Sequence, residues 1–213
     1  MEVRETLEKN RLIPVVKISD PEKVVPLAKA LQDGGIHAIE ITFRTKEAAE
    51  AIKICRKECP QMVLGAGTVV NHRQVDDALE AGASFLVSPG FNPSVVRYAG
   101  EKGVPHIPGT ITPGEMEQAM EMGLSIVKFF PAENAGGIGF IKSVGAVYKD
   151  LKIMPTGGIK LANIRSYLEL PNVIACGGSW VVKGEWIESD DFEKVRAASS
   201  EATALIAQIN KKQ

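Results

Sequence analysis

Eight short apolar runs, starting at Leu12, Ala38, Val63, Phe85, Pro105, Ser125, Lys152 and Asn172, recur every 20 to 27 residues along the chain. They read LIPVVKI, AIEITF, VLGAGTVV, FLVSPG, PHIPGT, SIVKFFPA, KIMPTGGI and NVIACGGSW. Most lack the strict polar alternation of a strand with one wet face, so they suit parallel strands covered on both sides. Amphipathic helical segments separate them. In DPEKVVPLAKALQDGG, Asp20 is the expected N-cap, Pro21 the first helical residue, and Gly34–Gly35 the stop. Pro26 cannot donate its turn's hydrogen bond, which predicts a bend or a later helix start. Thr45, Asn71, Asn92 and Thr112 are expected to open four similar segments, and Asp190 or Asp191 a last helix running towards Ile209.

This alternation, with no compositional break over 213 residues, predicts one α/β domain spanning 1–213 and folded as a (β/α)8 barrel. The stretch Glu2 to Asn10 predicts an extra N-terminal helix under the barrel bottom. A doubly wound open sheet is the alternative. For this length it would have fewer strands and a glycine-rich dinucleotide turn after the first, whereas the first run leads into KISDPEK.

Composition narrows the function classes. Hydrophobic residues at 45% and charged residues at 24% fit a chain that buries a sizeable core. A net charge of −1 leaves no electrostatic footprint for nucleic acid or an anionic membrane, and 6% aromatics argue against base stacking. No stretch approaches the roughly 18 apolar residues of a membrane span. Three cysteines, Cys55, Cys59 and Cys176, behind a charged N-terminal segment read as reduced thiols of a cytoplasmic protein. None of His37, His72 and His106 has metal-ligand spacing, so neither a metal nor a cofactor is expected.

Chemistry in such a barrel gathers at the carboxyl ends of the strands. Glu40 interrupts AIEITF; with Ile39 and Ile41 facing the helices, Glu40 points inward, and Thr42 and Arg44 follow on the same side. By the same parity Lys128 and Phe130 of SIVKFFPA point inward. An apolar interior desolvates an ammonium group and leaves some neutral amine, the nucleophile that forms a Schiff base with a ketone. Glu40 is then the candidate for proton transfer. A plain buried ion pair, Glu40 with Arg44 or a lysine, fits the same residues. The seventh and eighth runs end in Gly157–Gly158 and Gly177–Gly178–Ser179, at the two loops where this fold commonly binds phosphate through backbone N–H groups. Thr68, Pro89 and Thr156 end other runs and could line the mouth or serve as turn residues.

The stretches GGIHAIEITFRT, LGAGTVVN, FLVSPGFN, IPGTITPGE, VKFFPAENAGG, IMPTGGI and GGSW, in that order over nearly the whole chain, resemble the 2-keto-3-deoxy-6-phosphogluconate (KDPG) aldolase family, also called 4-hydroxy-2-oxoglutarate (KHG) aldolases. The resemblance implies a metal-free class I lyase of the Entner–Doudoroff pathway, usually a homotrimer. Its reaction would be cleavage of 2-dehydro-3-deoxy-6-phosphogluconate, a phosphorylated 2-keto-3-deoxy sugar acid, to pyruvate and glyceraldehyde 3-phosphate. It implies that Lys128 forms the imine, Glu40 moves protons, Arg44 and Thr68 hold the pyruvate carboxylate, and Thr156 lies near the substrate. It further implies that Gly158, Gly178 and Ser179 belong to the phosphate turns. Two departures stand out: Lys17 replaces an arginine found in some relatives, and Thr110 stands where another residue is common. Other expectations remain open: the galactonate epimer as substrate, a phosphosugar isomerase or epimerase working without an imine, or a non-catalytic binder of a phosphorylated ligand.

Overall fold

The computed structural model describes residues 3–211. Strands β1 (Leu12–Val16), β2 (Ala38–Thr42), β3 (Val63–Gly67) and β4 (Phe85–Val87) match the first four runs. The fifth run breaks into β5 (His106–Ile107) and β6 (Gly109–Thr110), because Pro108 between them has no N–H to pair. Then follow β7 (Ile126–Phe129), β8 (Lys152–Pro155) and β9 (Cys176–Gly178). Nine strands among the described residues thus stand where eight were expected.

All neighbours pair in parallel. One sheet runs β5-β4-β3-β2-β1-β9 and curves into a half-barrel; the other runs β6-β7-β8. Isolated parallel bridges join Ile153 to Val173 and Thr156 to Gly177, from β8 across to the β9 segment. The Lys128 N–H donates to the Pro108 carbonyl at 2.8 Å, tying β7 to the break between β5 and β6.

The helices are α1 (Val3–Asn10), α2 (Val24–Asp33), α3 (Ala48–Glu58), α4 (His72–Glu80), α5 (Pro93–Glu101), α6 (Pro113–Glu121), α7 (Gly137–Val147), α8 (Leu161–Leu168), α9 (Gly184–Glu188) and α10 (Phe192–Asn210). Asp20 caps a single 3-10 turn, Pro21–Lys23, and α2 starts only at Val24. Pro26 therefore falls in the first turn, where no bond is lost. Asn71, Asn92 and Thr112 cap as expected, Thr112 in a full capping box with Glu115. Thr45 does not: α3 begins at Ala48, and the Thr45 hydroxyl donates instead to the Ile18 carbonyl at 2.6 Å. Asp191 rather than Asp190 precedes the last helix. The expected N-terminal helix is α1, though Glu2 lies outside the described residues.

Strand parity divides the core. Ile39, Ile41, Leu64, Ala66, Val127 and Phe129 pack outward against the helices. Ile13, Ala38, Phe85, Val87, Ile107 and Met154 form a second, inner cluster, which Leu7 of α1 joins. This plug fills the amino-terminal half of the interior. Glu40 and Lys128 share the inner face above it, towards the carboxyl ends. Among the described residues, no helix is long and apolar enough to cross a membrane.

Candidate active site

Period-two side-chain alternation puts Glu40 on the inner face of β2 and Lys128 on the inner face of β7. Glu40 is 1% exposed and Lys128 5%. The Lys128 Nζ lies 3.4 Å from Glu40 Oε1, 88 residues away in sequence. The other carboxylate oxygen, Oε2, is buried without a hydrogen-bond partner among the described residues. The partner of Glu40 is thus a lysine and not Arg44. An unpaired buried carboxylate oxygen is costly unless a water or ligand meets it, so this oxygen points to an incoming group.

β3 makes the room that this carboxylate needs. Its inner residues are Gly65 and Gly67, paired in register with Glu40 and Thr42. A Cβ on Gly67 would lie 2.3 Å from Glu40 Oε1, and one on Gly65 would lie 2.3 Å from the Phe85 ring of the plug. Gly67 is a site residue that the sequence reading passed over; its signal is the glycine at alternate positions of LGAGT, next to the strand that carries Glu40.

Arg44 sits exposed in the turn after β2, and its Nε donates to the Thr42 hydroxyl at 3.0 Å. That hydroxyl in turn donates to the Val16 carbonyl at 2.8 Å, which orients the arginine over the strand end. Thr68, just past β3, is half-buried with a φ of +61°, a left-handed conformation uncommon for a side chain of this kind. Pro89 is half-buried past β4, and its carbonyl lies against Gly109, where a Cβ would come within 2.1 Å. Phe130 is 37% exposed and lies beyond the end of β7, before a cis bond to Pro131. It still faces the amine, with Lys128 Nζ 5.4 Å from its ring centroid. Lys17 is exposed just past β1. Among the described residues, Arg44, Thr68, Pro89 and Thr156 make no hydrogen bond to Lys128 or Glu40.

Thr156 follows β8, is 7% exposed, and its hydroxyl is buried without a partner among the described residues. Gly177 leaves space for that hydroxyl, since a Cβ there would come within 2.3 Å of it. The two glycine turns meet at a surface cavity of about 500 Å³, bounded by Gly158, Ile159 and Lys160 on one side and Ser179, Trp180 and Lys183 on the other. Gly157 and Gly158 have φ of +101° and +80°, accessible to glycine at little strain. Among the described residues, the Gly158, Ile159, Ser179 and Trp180 N–H groups donate to no protein acceptor. Four such donors at one cavity form the kind of cradle that suits an oxyanion.

A family model described as KDPG and KHG aldolase matches residues 3–198. A 2-dehydro-3-deoxy-phosphogluconate aldolase of Treponema pallidum (strain Nichols) is 48% identical over 202 residues, covering 95% of this chain and 96% of the relative. The KHG/KDPG aldolase of Escherichia coli (strain K12) is 40% identical over 191 residues, 90% of each chain. A KDPG aldolase from Legionella pneumophila, whose crystal structure holds pyruvate captured at low pH as a covalent carbinolamine intermediate, superposes with a TM-score of 0.92 at 36% identity. That superposition covers 95% of this chain and 98% of the other. Agreement of this extent, over a fold that brings a lysine amine and a carboxylate together inside its strands, has one meaning: the chain belongs to the KDPG and KHG aldolase family of carbon–carbon lyases.

Proposed function

We propose that this chain cleaves 2-dehydro-3-deoxy-6-phosphogluconate to pyruvate and glyceraldehyde 3-phosphate through an imine on Lys128, and takes 4-hydroxy-2-oxoglutarate to pyruvate and glyoxylate by the same route. The observation that carries this reading is the buried Lys128 amine 3.4 Å from a carboxylate with one free oxygen. The names of the Treponema and Escherichia relatives support the substrate class, and the pyruvate adduct of the Legionella enzyme supports the chemistry.

The Lys128–Glu40 pair supports the following steps. Glu40 is near enough to take a proton from Lys128, and the neutral amine adds to the C2 ketone. The carbinolamine hydroxyl takes that proton back from Glu40 and leaves as water, which gives an iminium and returns Glu40 to its carboxylate form. Glu40 then accepts the proton of the C4 hydroxyl as the C3–C4 bond breaks; the bonding pair moves through C3 into the iminium and leaves an enamine. Glyceraldehyde 3-phosphate departs. Protonation at C3 and hydrolysis release pyruvate and restore the lysine.

The remaining residues divide between the two ends of the substrate. Arg44 and Thr68 hold the pyruvyl carboxylate, where an arginine fork suits a planar anion. Pro89, Phe130 and Thr156 shape the walls around the reacting carbons. Gly157, Gly158, Gly177, Gly178 and Ser179 form the phosphate cradle. We further infer that the two sheets are one closed (β/α)8 barrel, with α1 as an extra N-terminal helix and residues 1–213 as a single domain. The two bridges from β8 to the β9 segment and the Lys128–Pro108 bond support closure. A homotrimer and a cytoplasmic location complete the reading. Val70 and Ile111, 46% and 41% exposed just past β3 and β6, support an assembly; Cys55, Cys59 and Cys176, all free thiols, support a reducing compartment.

Borohydride reduction in the presence of pyruvate, followed by peptide mass mapping, tests the proposal. A pyruvate-derived adduct is expected on Lys128. A folded protein with no adduct on any lysine overturns the imine mechanism.

A further inference from the structure

After β7 the chain crosses directly onto the turn after β8. The Ala132 N–H donates to the Thr156 carbonyl at 2.8 Å and the Glu133 N–H to the Gly157 carbonyl at 3.1 Å. The stem of Glu133 then lies against Gly158, where a Cβ would come within 2.4 Å of Glu133 Cγ. Its carboxylate accepts a hydrogen bond from the hydroxyl of Tyr167, a fully buried residue of α8. Burial first, then the hydrogen bond to Glu133 and its charge, push the Tyr167 phenol far above its ordinary range, so it stays a donor. Gly137 provides the socket: a Cβ there would sit 3.0 Å from the Tyr167 hydroxyl. On the other side Asn163 Nδ2 donates to the Gly158 carbonyl at 3.1 Å while its Oδ1 accepts from the Lys160 N–H at 2.7 Å.

The turn that carries two of the free N–H donors is thus held by its carbonyls and by one side-chain stem. The tyrosine also fixes the carboxylate of the residue whose stem packs on Gly158. Among the described residues, neither Tyr167 nor Glu133 hydrogen-bonds to Lys128 or Glu40.

We propose that Tyr167 and Glu133 are positioning residues that clamp the Thr156–Ile159 turn, and so set affinity for the phosphate end of the substrate without acting on the chemistry at Lys128. This rests on the reading above that the turn binds phosphate. The test compares Tyr167→Phe, Glu133→Ala and Glu133→Gln with the unaltered enzyme on 2-dehydro-3-deoxy-6-phosphogluconate and on 4-hydroxy-2-oxoglutarate, with inorganic phosphate as inhibitor of the second reaction. Tyr167→Phe and Glu133→Ala each raise KM for the phosphorylated substrate roughly three- to tenfold, as expected for loss of one orienting hydrogen bond. They raise the phosphate inhibition constant in parallel and leave kcat and KM for 4-hydroxy-2-oxoglutarate within twofold. Glu133→Gln, which keeps an acceptor for the phenol, stays within twofold of the unaltered enzyme on both. Glu133 is exposed, so its alanine variant carries the test even where loss of the buried hydroxyl weakens the fold. Equal losses on both substrates, or no change on either, overturn the clamp. If the unaltered enzyme is insensitive to inorganic phosphate and handles both substrates with the same KM, the phosphate assignment itself fails and takes the clamp with it.

Discussion

Replacing Gly67 by alanine isolates what the Glu40 carboxylate needs from its neighbours. The added Cβ would lie 2.3 Å from Glu40 Oε1, 2.7 Å from Cγ and 2.8 Å from Cδ, against about 3.4 Å for an ordinary contact. The carboxylate must therefore move by about 1 Å. It is 1% exposed, so it has no open space to move into without leaving Lys128, now 3.4 Å away. A displacement of about 1 Å in a reacting group is worth on the order of 100-fold in rate, or ~2.7 kcal/mol of barrier. Gly67 does not have the left-handed backbone that would itself resist a side chain, and alanine in a strand is favoured over glycine by roughly 0.5–1 kcal/mol. Gly67→Ala is expected to fold, to lose ~1–3 kcal/mol of stability through the crowded buried pair, and to lose about 100-fold in kcat. Lys128 should still be trapped by pyruvate and borohydride, because the amine is not displaced. Steady-state kinetics, urea unfolding and adduct mapping on one preparation decide the matter. A kcat within threefold of the unaltered enzyme would refute the argument that this glycine exists to seat the carboxylate. Gly65→Ala is the internal contrast: its Cβ would meet the Phe85 ring at 2.3 Å, so it should cost ~1–3 kcal/mol of stability by overpacking the plug, with a smaller effect on rate.

Lys128→Met should abolish turnover and adduct formation and destabilise the fold by ~3–5 kcal/mol at neutral pH, since Glu40 is left as an unpaired buried charge. Lys128→Met/Glu40→Gln should recover most of that loss in urea unfolding; no recovery would mean that the pair is not electrostatically coupled. Thr156→Val removes a buried hydroxyl that has no partner among the described residues, so stability should change by less than ~1 kcal/mol while turnover falls about tenfold. Unchanged turnover would remove Thr156 from the site. His106 is buried and hydrogen-bonded to the Ser88 hydroxyl at 2.7 Å, and burial pushes its pKa down from 6.5 to about 4. The unfolded chain therefore binds the proton first as pH falls, and stability drops between pH 6.5 and 4, by up to ~3 kcal/mol at 1.36 kcal/mol per pH unit. His106→Gln should flatten urea-unfolding free energies in that window; an equally steep fall would assign the acid sensitivity to other groups.

What could be read without coordinates was whatever one strand or one helix decides alone. Glu40 and Lys128 face inward because side chains alternate along a strand, and a charge at a position flanked by outward Ile39 and Ile41, or by outward Val127 and Phe129, declares its side locally. Asn71, Asn92 and Thr112 cap their helices through contacts two or three residues away, within the reach of a sequence window. Thr45 failed that reading because its hydroxyl finds Ile18, 27 residues back, and the helix gives up the cap. Phe130 lies past the end of β7, so parity gives the side it shares with the Lys128 amine but not its exposure at the mouth.

The unread part of the site is the part fixed by register between strands and by contacts over long separations. Gly67 matters only because β3 pairs with β2 so that Gly67 stands opposite Thr42, one inward position beyond Glu40. A register shift of one residue would turn Leu64 and Ala66 inward and drive a side chain into the carboxylate. The Tyr167–Glu133 contact spans 34 residues and joins a helix to the strap after β7, with no periodicity to announce it. A lysine and a glutamate in inward positions are therefore necessary for this chemistry but do not arrange it. The arrangement comes from glycines that hold space open beside them, and a glycine's purpose can be read only from the side chain that occupies the space.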